Sequence, residues 1–386
     1  MRVLSLFSGV GGIEMGLEQA GHTSVAFCEI EPHAQAVLRY HWPAVPLYTD
    51  ICALSGRELV AAHGAMDLVC GGSPCQDLST AGKRAGLGGE KSGLFHQQIR
   101  VWQELQAAQP DVPVTLLWEN VAGAFSSHKG ADFAAVLSAI VGTDITGAVG
   151  AVPDKRGRYK WTSAGVATGP AAIAAWRLLD LQYFGVPQRR RRVFVVGSPP
   201  GGPDPAEVLA LSEGLYGDPA PSGRAGQDNA PAPAKSTGIR GERPEPLFPQ
   251  DAETYAIRTA QTGSNGWGIA DEVAYTLDGS AGQAVSFSEN QQAEVRTAPI
   301  MGSLSGIGGK PGQGYPAILE GRPRRLTPLE CDRLMGWPDD HTKRGEKPDG
   351  TQYDLPDGAR YVLCGNGCGA PHSSWIGWQL WNALQY

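Results

Sequence analysis

The chain has 386 residues, enough to bury one large core, and its hydrophobic content of 41% is ordinary for a soluble globular protein. No run approaches about eighteen apolar residues, and the short apolar start carries a single basic residue. We therefore expect neither a membrane span nor a secretory signal. The seven cysteines are odd in number and scattered, which favours a reducing cytoplasm over a disulfide framework. Cys364 and Cys368 lack a second pair with zinc spacing, so no metal site is expected.

The net charge of −7 argues against nucleic acid only at first sight, because binding depends on a local basic face. Nine basic residues lie between positions 155 and 192, and only Asp180 opposes them. Four of them, the arginines at 189–192, run directly into an apolar strand, where charges can meet a ligand. A solvated charged loop is the alternative. The pattern is compatible with DNA binding and does not establish it.

Strand-length and helix-length apolar patterns alternate over the first two hundred residues. We predict strands at 3–7, 24–27, 67–70, 114–118 and 193–196, and helices at 13–20, 32–40, 94–108 and 132–141. Gly21 ends the first helix, proline opens the second, and Pro110 closes the third. This alternation indicates an α/β fold with a Rossmann-like, doubly wound and mostly parallel sheet. The stretch 142–169 is a longer connection than such a fold needs.

The composition changes after residue 198, where 11 of the next 52 residues are proline and 8 are glycine. We expect a linker or an irregular surface there. Short β-like pieces follow at 274–277 and 284–287, and Thr327 and Glu330 then form a capping-box signal. A Trp-rich helix at 372–384 ends the sequence. We therefore predict a main domain in residues 1–200, a smaller irregular β-containing domain with linkers in 201–323, and a return to the main domain in 324–386.

Glycine and acidic residues stand at the ends of several predicted strands, where doubly wound sheets bind their ligands. The first strand runs into Ser8-Gly9-Val10-Gly11-Gly12, whose glycines let the backbone pass close under a ligand. Glu29 ends the second strand and can accept both ribose hydroxyls of an adenosine, and Asp50 can accept the adenine amino group. A nicotinamide site or a structural turn explains the glycines alone equally well. Together these residues indicate an adenosine-containing cofactor without identifying it.

A cysteine and a glutamate follow the next two predicted strands. Cys75 lies in the loop Cys70-Gly-Gly-Ser-Pro-Cys-Gln, where it can be exposed and where backbone N–H groups can stabilise a thiolate. The alternative is a small buried hydrophobe, which is what most cysteines are. Glu119 ends an apolar run, where a carboxyl group can be held protonated. A thiolate and a protonated carboxylic acid that face one cleft suit covalent catalysis.

Six motifs stand in the order typical of the cytosine-C5 DNA methyltransferase family, and the chain resembles that family over nearly its whole length. They are Phe7-Ser-Gly-Val-Gly-Gly, Gly72-Ser-Pro-Cys-Gln, Glu119-Asn-Val, Gln188-Arg-Arg-Arg-Arg, Arg325-Leu-Thr-Pro-Leu-Glu-Cys through Gly336-Trp-Pro-Asp, and Gly365-Asn-Gly. One short motif can arise by chance, but six in order do not. The resemblance implies a class I methyltransferase fold, a target-recognition domain in residues 201–323, and S-adenosylmethionine as the cofactor.

The resemblance also implies the roles of individual residues. Cys75 is then the nucleophile toward C6 of a flipped-out cytosine, Glu119 gives a proton to N3, and Arg190 and Arg192 stand beside the base. The alternative for the arginines is a basic rim that touches phosphates only. The implied cofactor-binding residues are Phe7, Ser8, Gly9, Gly11, Gly12, Glu29, Ile30, Asp50, Ile51, Leu94, Asn366 and Gly367. The implied DNA-binding residues are Gln76, Ser79, Lys83, Arg84, Gln188, Thr276 and Leu277.

The implied partner is double-stranded DNA, which a companion restriction endonuclease would share if the protein serves restriction–modification. We expect a monomer without membrane association. The glycine-rich stretch 76–93 contains Lys83, Arg84 and Lys91, and we expect it to close over the DNA as a lid. A surface loop without this role is the alternative.

Three other functions compete with this one. A tRNA cytosine-5 methyltransferase shares the catalytic motifs, although the long variable region argues for DNA. A dehydrogenase with a dinucleotide site has no use for Pro-Cys-Gln together with Glu-Asn-Val. A catalytically inactive DNA-binding module is disfavoured because Cys75, Glu119 and Arg192 occur together.

Overall fold

The structure is a computed structural model that describes residues 1–73, 93–145, 159–210 and 326–384, and the backbone of four strands between residues 285 and 325. Its centre is an eight-stranded sheet. The strands are β1 (Arg2–Leu6), β2 (Thr23–Cys28), β3 (Leu47–Tyr48), β4 (Leu68–Gly71), β5 (Thr115–Val121), β6 (Ala164–Thr168), β7 (Ile173–Asp180) and β8 (Arg191–Ser198). Their order across the sheet is β3-β2-β1-β4-β5-β8-β7-β6.

Four of the seven neighbouring pairs in this sheet are parallel and three are antiparallel. The neighbours from β3 to β5 are all parallel, whereas β8 is antiparallel to β5, β7 to β8, and β6 to β7. All five predicted strands are confirmed, but the two-residue β3 and the strands β6 and β7 were missed. β6 is a mostly exposed edge strand of small residues within the stretch that looked like an unusually long connection. Such a strand carries little hydrophobic periodicity, so its sequence resembles a loop.

The described residues form nine helices. They are α1 (Gly12–Gln19), α2 (Pro32–His41), α3 (Gly56–His63), α4 (Leu94–Ala108), α5 (Ala131–Val141), α6 (Pro205–Val208), α7 (Pro328–Leu334), α8 (Asp357–Asn366) and α9 (Ala370–Ala383). The prediction for α4 matches at both ends, and that for α9 is two residues late at its start. The sequence patterns missed α3, α6 and α8. At α7 the predicted capping box is confirmed: the Thr327 side chain accepts from the Glu330 backbone, and the Glu330 carboxylate accepts from the Thr327 backbone.

Alternate residues of each strand face opposite helical layers, as the period of a strand requires. In β8, Val193 and Val195 pack with a cluster that contains α4 and α5. Phe194 and Val196 pack with a cluster that contains α1 and α9. The main sheet is thus covered on both faces, which explains why its central strands are apolar throughout.

The C-terminal helix returns to the start of the chain. The packing of α9 on α1 is close, because a Cβ at Gly16 would lie 2.2 Å from Ser373 Oγ and 2.3 Å from the Ala370 carbonyl oxygen. Val208 of α6 and Leu209 join the same buried layer, so the packed layer extends past residue 200, where the sequence patterns divide the chain. No helix within the described ranges is both long and apolar enough to span a membrane.

A second, four-stranded antiparallel sheet lies in the predicted recognition domain. Its strands are β9 (Val285–Glu289), β10 (Val295–Thr297), β11 (Pro316–Glu320) and β12 (Arg322–Arg325), in the order β10-β9-β11-β12. β9 overlaps the predicted piece at 284–287, whereas the piece at 274–277 lies outside the described residues. β12 crosses the division predicted at residue 323. A short hairpin of β13 (Arg344–Glu346) and β14 (Gln352–Asp354) precedes α8.

We predict that Arg360→Met strongly destabilises the protein. Arg360 Nη2 lies 3.1 Å from Asp332 Oδ2, and both side chains are buried, so the substitution leaves an uncompensated buried carboxylate. The expected loss is about 3–5 kcal/mol in the free energy of unfolding, measured by urea denaturation at pH 7. The control is Arg344→Met, whose partner Asp354 is 3.4 Å away and exposed, with an expected loss below about 1 kcal/mol. Equal losses in the two variants would contradict this account.

Candidate cofactor cavity and active site

A cavity of about 590 Å³ opens at the carboxyl ends of the parallel strands. Such an edge is where doubly wound sheets bind ligands. The predicted cofactor residues that line it are Phe7, Gly9, Glu29, Ile30, Asp50, Ile51, Leu94, Asn366 and Gly367. Glu119 and Arg192 line the same cavity. One space therefore joins the predicted cofactor residues to two of the predicted catalytic residues.

The loop after β1 is shaped around the carboxylate of Glu29. Gly9 N donates to Glu29 Oε2 at 2.7 Å, and Glu31 N donates to Glu29 Oε1 at 2.8 Å. Burial raises the pKa of the Glu29 carboxyl, and the backbone donors oppose the rise. Phe7 and Gly9 both have left-handed backbone conformations, with φ of 55° and 54°. For Phe7 this conformation costs about 1–2 kcal/mol, a form of strain that clusters at ligand sites.

The neighbouring wall is a short 3₁₀ turn, Ile51–Ala53, that Asp50 caps. Asp50 Oδ1 accepts from Cys52 N at 2.8 Å. Arg100 on α4 donates to the carbonyl oxygens of Ile51 and Leu54, at 2.9 Å each. The same helix begins at Leu94, so one element fixes two parts of the cavity wall.

The structure places three of the predicted cofactor residues behind the cavity lining. Ser8 is buried, and its hydroxyl contacts Ser5. A Cβ at Gly11 would lie 2.3 Å from the Trp42 ring, and one at Gly12 would lie 2.3 Å from the Cys368 carbonyl oxygen. Other parts of the protein approach these two glycines closely, which gives both a packing role. Their predicted contact with the cofactor stays a prediction.

Glu119 is the acidic group at the centre of the cavity wall. Its side chain is 12% exposed, and its Oε1 lies 2.9 Å from Arg192 Nε. A Cβ at Gly72 would lie 2.7 Å from Glu119 Oε2, so the chain at the end of β4 presses against this carboxyl group. Burial raises the pKa of Glu119, while the charges of Arg192 and Arg190 oppose the rise. A buried carboxyl group that an arginine holds in place is suited to act as a general acid.

The segment that leads to Cys75 is fixed from β5. Trp118 Nε1 donates to Ser73 Oγ, and Asn120 Nδ2 donates to the Ser73 carbonyl oxygen, each at 3.0 Å. Cys75 itself lies outside the described residues. So do the predicted DNA-binding residues Gln76, Ser79, Lys83, Arg84, Thr276 and Leu277.

The four consecutive arginines alternate between two environments. Arg189 and Arg191 are exposed, whereas Arg190 and Arg192 are buried. Arg192 lines the cavity, but Arg190 does not: it donates to the carbonyl oxygens of Gly365 and Gly367. The expectation that Arg190 stands beside the base is therefore corrected to a role in holding the segment that follows α8.

Gln188 is also placed differently from the expectation. Its side chain is fully buried, and its amide atoms meet no hydrogen-bond partner among the described residues. A buried amide cannot contact DNA in this conformation, so its predicted DNA contact disagrees with the structure.

Sequence reasoning missed several residues of the cavity wall, among them Val362 and Leu363 on α8. They precede Asn366 by four and three residues. A helix that ends at the Gly365-Asn-Gly motif places such residues on one face, so the helical period could have found them.

The lining has features that suit S-adenosylmethionine. A Cβ at Gly9 would meet no described atom within 4 Å, so the backbone there faces open space. The Glu29 carboxylate accepts from the backbone at both oxygens and could also accept from the hydroxyl groups of a ribose. Ile30 is an apolar side chain with 73% exposure at the rim, and it could cover an adenine ring. An adenosine with a methionine tail therefore fits these residues.

Two crystal structures of known proteins have a similar fold. The crystal structure of the Dnmt2 methyltransferase of S. pombe superposes over the full length of both chains, with a TM-score of 0.54 and 16% identity. A crystal structure described as a DNA modification methyltransferase from an E. coli prophage also gives 0.54, at 17% identity. These likenesses concern the fold alone. They show that the chain has the Rossmann-like fold of the class I methyltransferases.

Sequence comparison defines the family. Residues 1–144 match the C-5 cytosine-specific DNA methylase family. The type II methyltransferase M2.BsuMI of Bacillus subtilis is 30% identical over 380 residues, which cover 98% of this chain and 75% of that relative. The DNA N-6-adenine-methyltransferase of Escherichia phage P1 is 29% identical over 460 residues, which cover 98% of this chain and 61% of the phage protein. The chain belongs to the C-5 cytosine-specific DNA methylase family, and its cofactor is S-adenosylmethionine.

We predict that Gly72→Ala lowers kcat by about tenfold or more, because a displacement of about 1 Å in a catalytic group is costly. The new methyl group would lie 2.7 Å from Glu119 Oε2 and 3.1 Å from the Glu119 carbonyl oxygen, and both distances are shorter than an ordinary van der Waals contact. Affinity for S-adenosylmethionine should stay near the wild-type value. The control is Gly358→Ala in α8, where a Cβ meets no described atom within 4 Å. An unchanged kcat for Gly72→Ala in steady-state kinetics would contradict a catalytic role for the contact between Gly72 and the Glu119 carboxyl group.

Proposed function

We propose that the protein is a DNA (cytosine-5-)-methyltransferase that acts on a specific sequence of duplex DNA. The observation that carries this proposal is the largely buried Glu119 carboxyl beside Arg192 in the cavity wall, in contact with the chain at Gly72. Cys75 follows Gly72 by three residues, a distance that spans at most about 11 Å. The thiol and the acid are therefore confined to one region.

Cytosine needs activation because its C5 is a poor nucleophile. We infer that the Cys75 thiolate adds to C6 while Glu119 delivers a proton to N3, which places electron density at C5. S-adenosylmethionine supplies an electrophilic methyl group for that carbon. A base then removes the C5 proton, the thiolate leaves C6, Glu119 recovers the N3 proton, and the aromatic ring is restored. The cytosine must leave the stacked duplex for any of these steps.

Arg192 has two tasks in this proposal. Its Nε holds Glu119 Oε1, and its Nη1 donates to the Arg191 carbonyl oxygen at 3.0 Å, so the guanidinium plane is fixed. From there it could donate to the carbonyl oxygen of the flipped base. The exposed Arg189 and Arg191 are better placed to meet backbone phosphates than the buried Gln188.

Methylation of adenine at N6 is the second candidate, because the phage P1 relative carries that name. The exocyclic amine of adenine needs no addition to the ring, so a nucleophilic thiol beside a buried acid would have no purpose in that reaction. The type II names of other relatives, including M.AquIA of Picosynechococcus, support a place in restriction–modification. A partner endonuclease belongs to that proposal.

We predict that duplex DNA with 5-fluorocytosine at the target site traps a covalent adduct in the presence of S-adenosylmethionine. In the normal reaction a base removes the proton from C5 before the thiolate leaves C6. A base cannot remove fluorine from C5, so the ring stays bonded to the thiol. Denaturing electrophoresis should reveal the adduct in the wild-type protein and in Cys52→Ala, a control at an exposed thiol. Cys75→Ala should form none while it retains affinity for S-adenosylmethionine. Glu119→Gln should form it about 10²–10⁴ times more slowly. An adduct in Cys75→Ala would defeat the mechanism.

A further inference from the structure

Glu14 is a buried carboxyl group that the proposed mechanism does not use. It lies in the first turn of α1 with 1% exposure, directly behind the cofactor loop. Its Oε1 makes a short contact with Ser5 Oγ and accepts from Cys70 Sγ at 3.8 Å. Its Oε2 is buried with no partner among the described residues. A carboxylate in such a place would lose its hydration without enough donors to replace it.

A chain of hydroxyl groups connects Glu14 to the cavity wall. Ser5 Oγ lies 2.8 Å from Ser8 Oγ, and Ser8 Oγ donates to the Ser5 carbonyl oxygen at 3.2 Å. Ser8 stands between Phe7 and Gly9, which both line the cavity. A change in the orientation of the Ser8 side chain therefore reaches the loop that faces the cofactor.

Counting protons determines which form of Glu14 this chain of contacts requires. The chain consists of three contacts, from Glu14 to Ser5, from Ser5 to Ser8, and from Ser8 to a backbone carbonyl oxygen. The Ser8 hydroxyl can use its one proton for this last contact, either to the Ser5 carbonyl oxygen at 3.2 Å or to the Cys28 carbonyl oxygen at 3.5 Å. Each contact needs its own proton, but the two serine hydroxyls supply only two. The third must come from the carboxylic acid. If Glu14 ionises, Ser5 must turn its proton toward Glu14, and one of the remaining contacts is lost.

The electrostatic surroundings agree with a neutral acid. Burial raises the pKa of Glu14 to about 7, hydrogen bonds from Ser5 and Cys70 oppose the rise, and the charge of Glu18 adds to it. Among the described residues, two buried thiols also face this carboxyl group, Cys70 on β4 and Cys368 before α9, and burial raises the pKa of both. Since the carboxyl is neutral below about pH 7 and ionised above, the hydroxyl chain changes with pH in the physiological range.

We propose that Glu14 is a positioning residue for S-adenosylmethionine, and that its neutral carboxylic acid holds residues 7–9 in the conformation that binds the cofactor. Loss of the proton breaks the hydroxyl chain and loosens the cofactor loop. Binding of the cofactor then weakens as the pH rises. This inference rests on the cofactor occupying the cavity beside Phe7 and Gly9, and it does not depend on which base is methylated.

The test compares wild-type protein with Glu14→Gln by calorimetric titration with S-adenosylmethionine between pH 6.0 and 8.5, without DNA. A Gln amide can donate to Ser5 Oγ as the neutral acid does, but it cannot ionise. The ratio of the two dissociation constants isolates Glu14, because the amino group of the ligand and the carboxyl of Glu29 titrate in both proteins. We expect a ratio near one at pH 6.0 and weaker binding by the wild type at pH 8.5, by about threefold to tenfold, the equivalent of one hydrogen bond.

Two further variants make the test decisive. Glu58→Gln removes an exposed carboxylate from α3 and should follow the wild-type profile. Glu14→Met cannot donate to Ser5 and should bind weakly at every pH; if it fails to fold, the Gln comparison stands alone. A wild-type to Gln ratio that is constant with pH would overturn the proposal. If the Glu14 proposal fails in this way, S-adenosylmethionine still binds and DNA with 5-fluorocytosine is still trapped through Cys75. Failure of the proposed function would instead abolish the trapping, so the two failures can be told apart.

Discussion

The contact between the largely buried carboxyl group of Glu119 on β5 and the guanidinium of Arg192 on β8 is the interaction on which the cavity depends. Arg192 reaches this group because β8 runs antiparallel to β5 and sets Arg192 opposite Val121. Gly72 lets the end of β4 press against the same carboxyl. Three strands that are far apart in the sequence thus meet at one acid. Burial raises the pKa of this acid, and the charge of Arg192 opposes the rise while its contact fixes the orientation of the carboxyl group.

The cavity is closed by the last part of the chain. Asn366 and Gly367 complete its wall, and Arg190 holds this segment through the carbonyl oxygens of Gly365 and Gly367. The next residue, Cys368, presses its carbonyl oxygen against Gly12, so the start and the end of the chain shape each other. A cofactor site built from both ends of a chain forms only when the whole core has folded.

Local signals carried most of the sequence prediction. The capping box at Thr327 and the apolar periodicity of α4 depend on neighbours within a few residues, and the structure agrees with both. The ends of the first two strands were predicted to within one residue, since Phe7 and Glu29 directly follow β1 and β2. The antiparallel entry of β8 was missed because it depends on contacts between strands that are far apart in the sequence. The β6–β7 hairpin is local, and it was missed because β6 is mostly exposed and carries little hydrophobic periodicity. The alternation that buries Arg190 and Arg192 and exposes Arg189 and Arg191 follows from how β8 is set in the sheet, and no local pattern reveals it.

The central claim is that this cavity methylates carbon 5 of cytosine. The most direct measurement incubates the protein with plasmid DNA or tRNA and S-adenosylmethionine, digests the nucleic acid to nucleosides, and identifies the modified base by mass spectrometry. We predict 5-methyldeoxycytidine from the DNA, no product from the tRNA, and no product with Cys75→Ala. N6-methyldeoxyadenosine from the DNA, or 5-methylcytidine from the tRNA alone, would contradict the account.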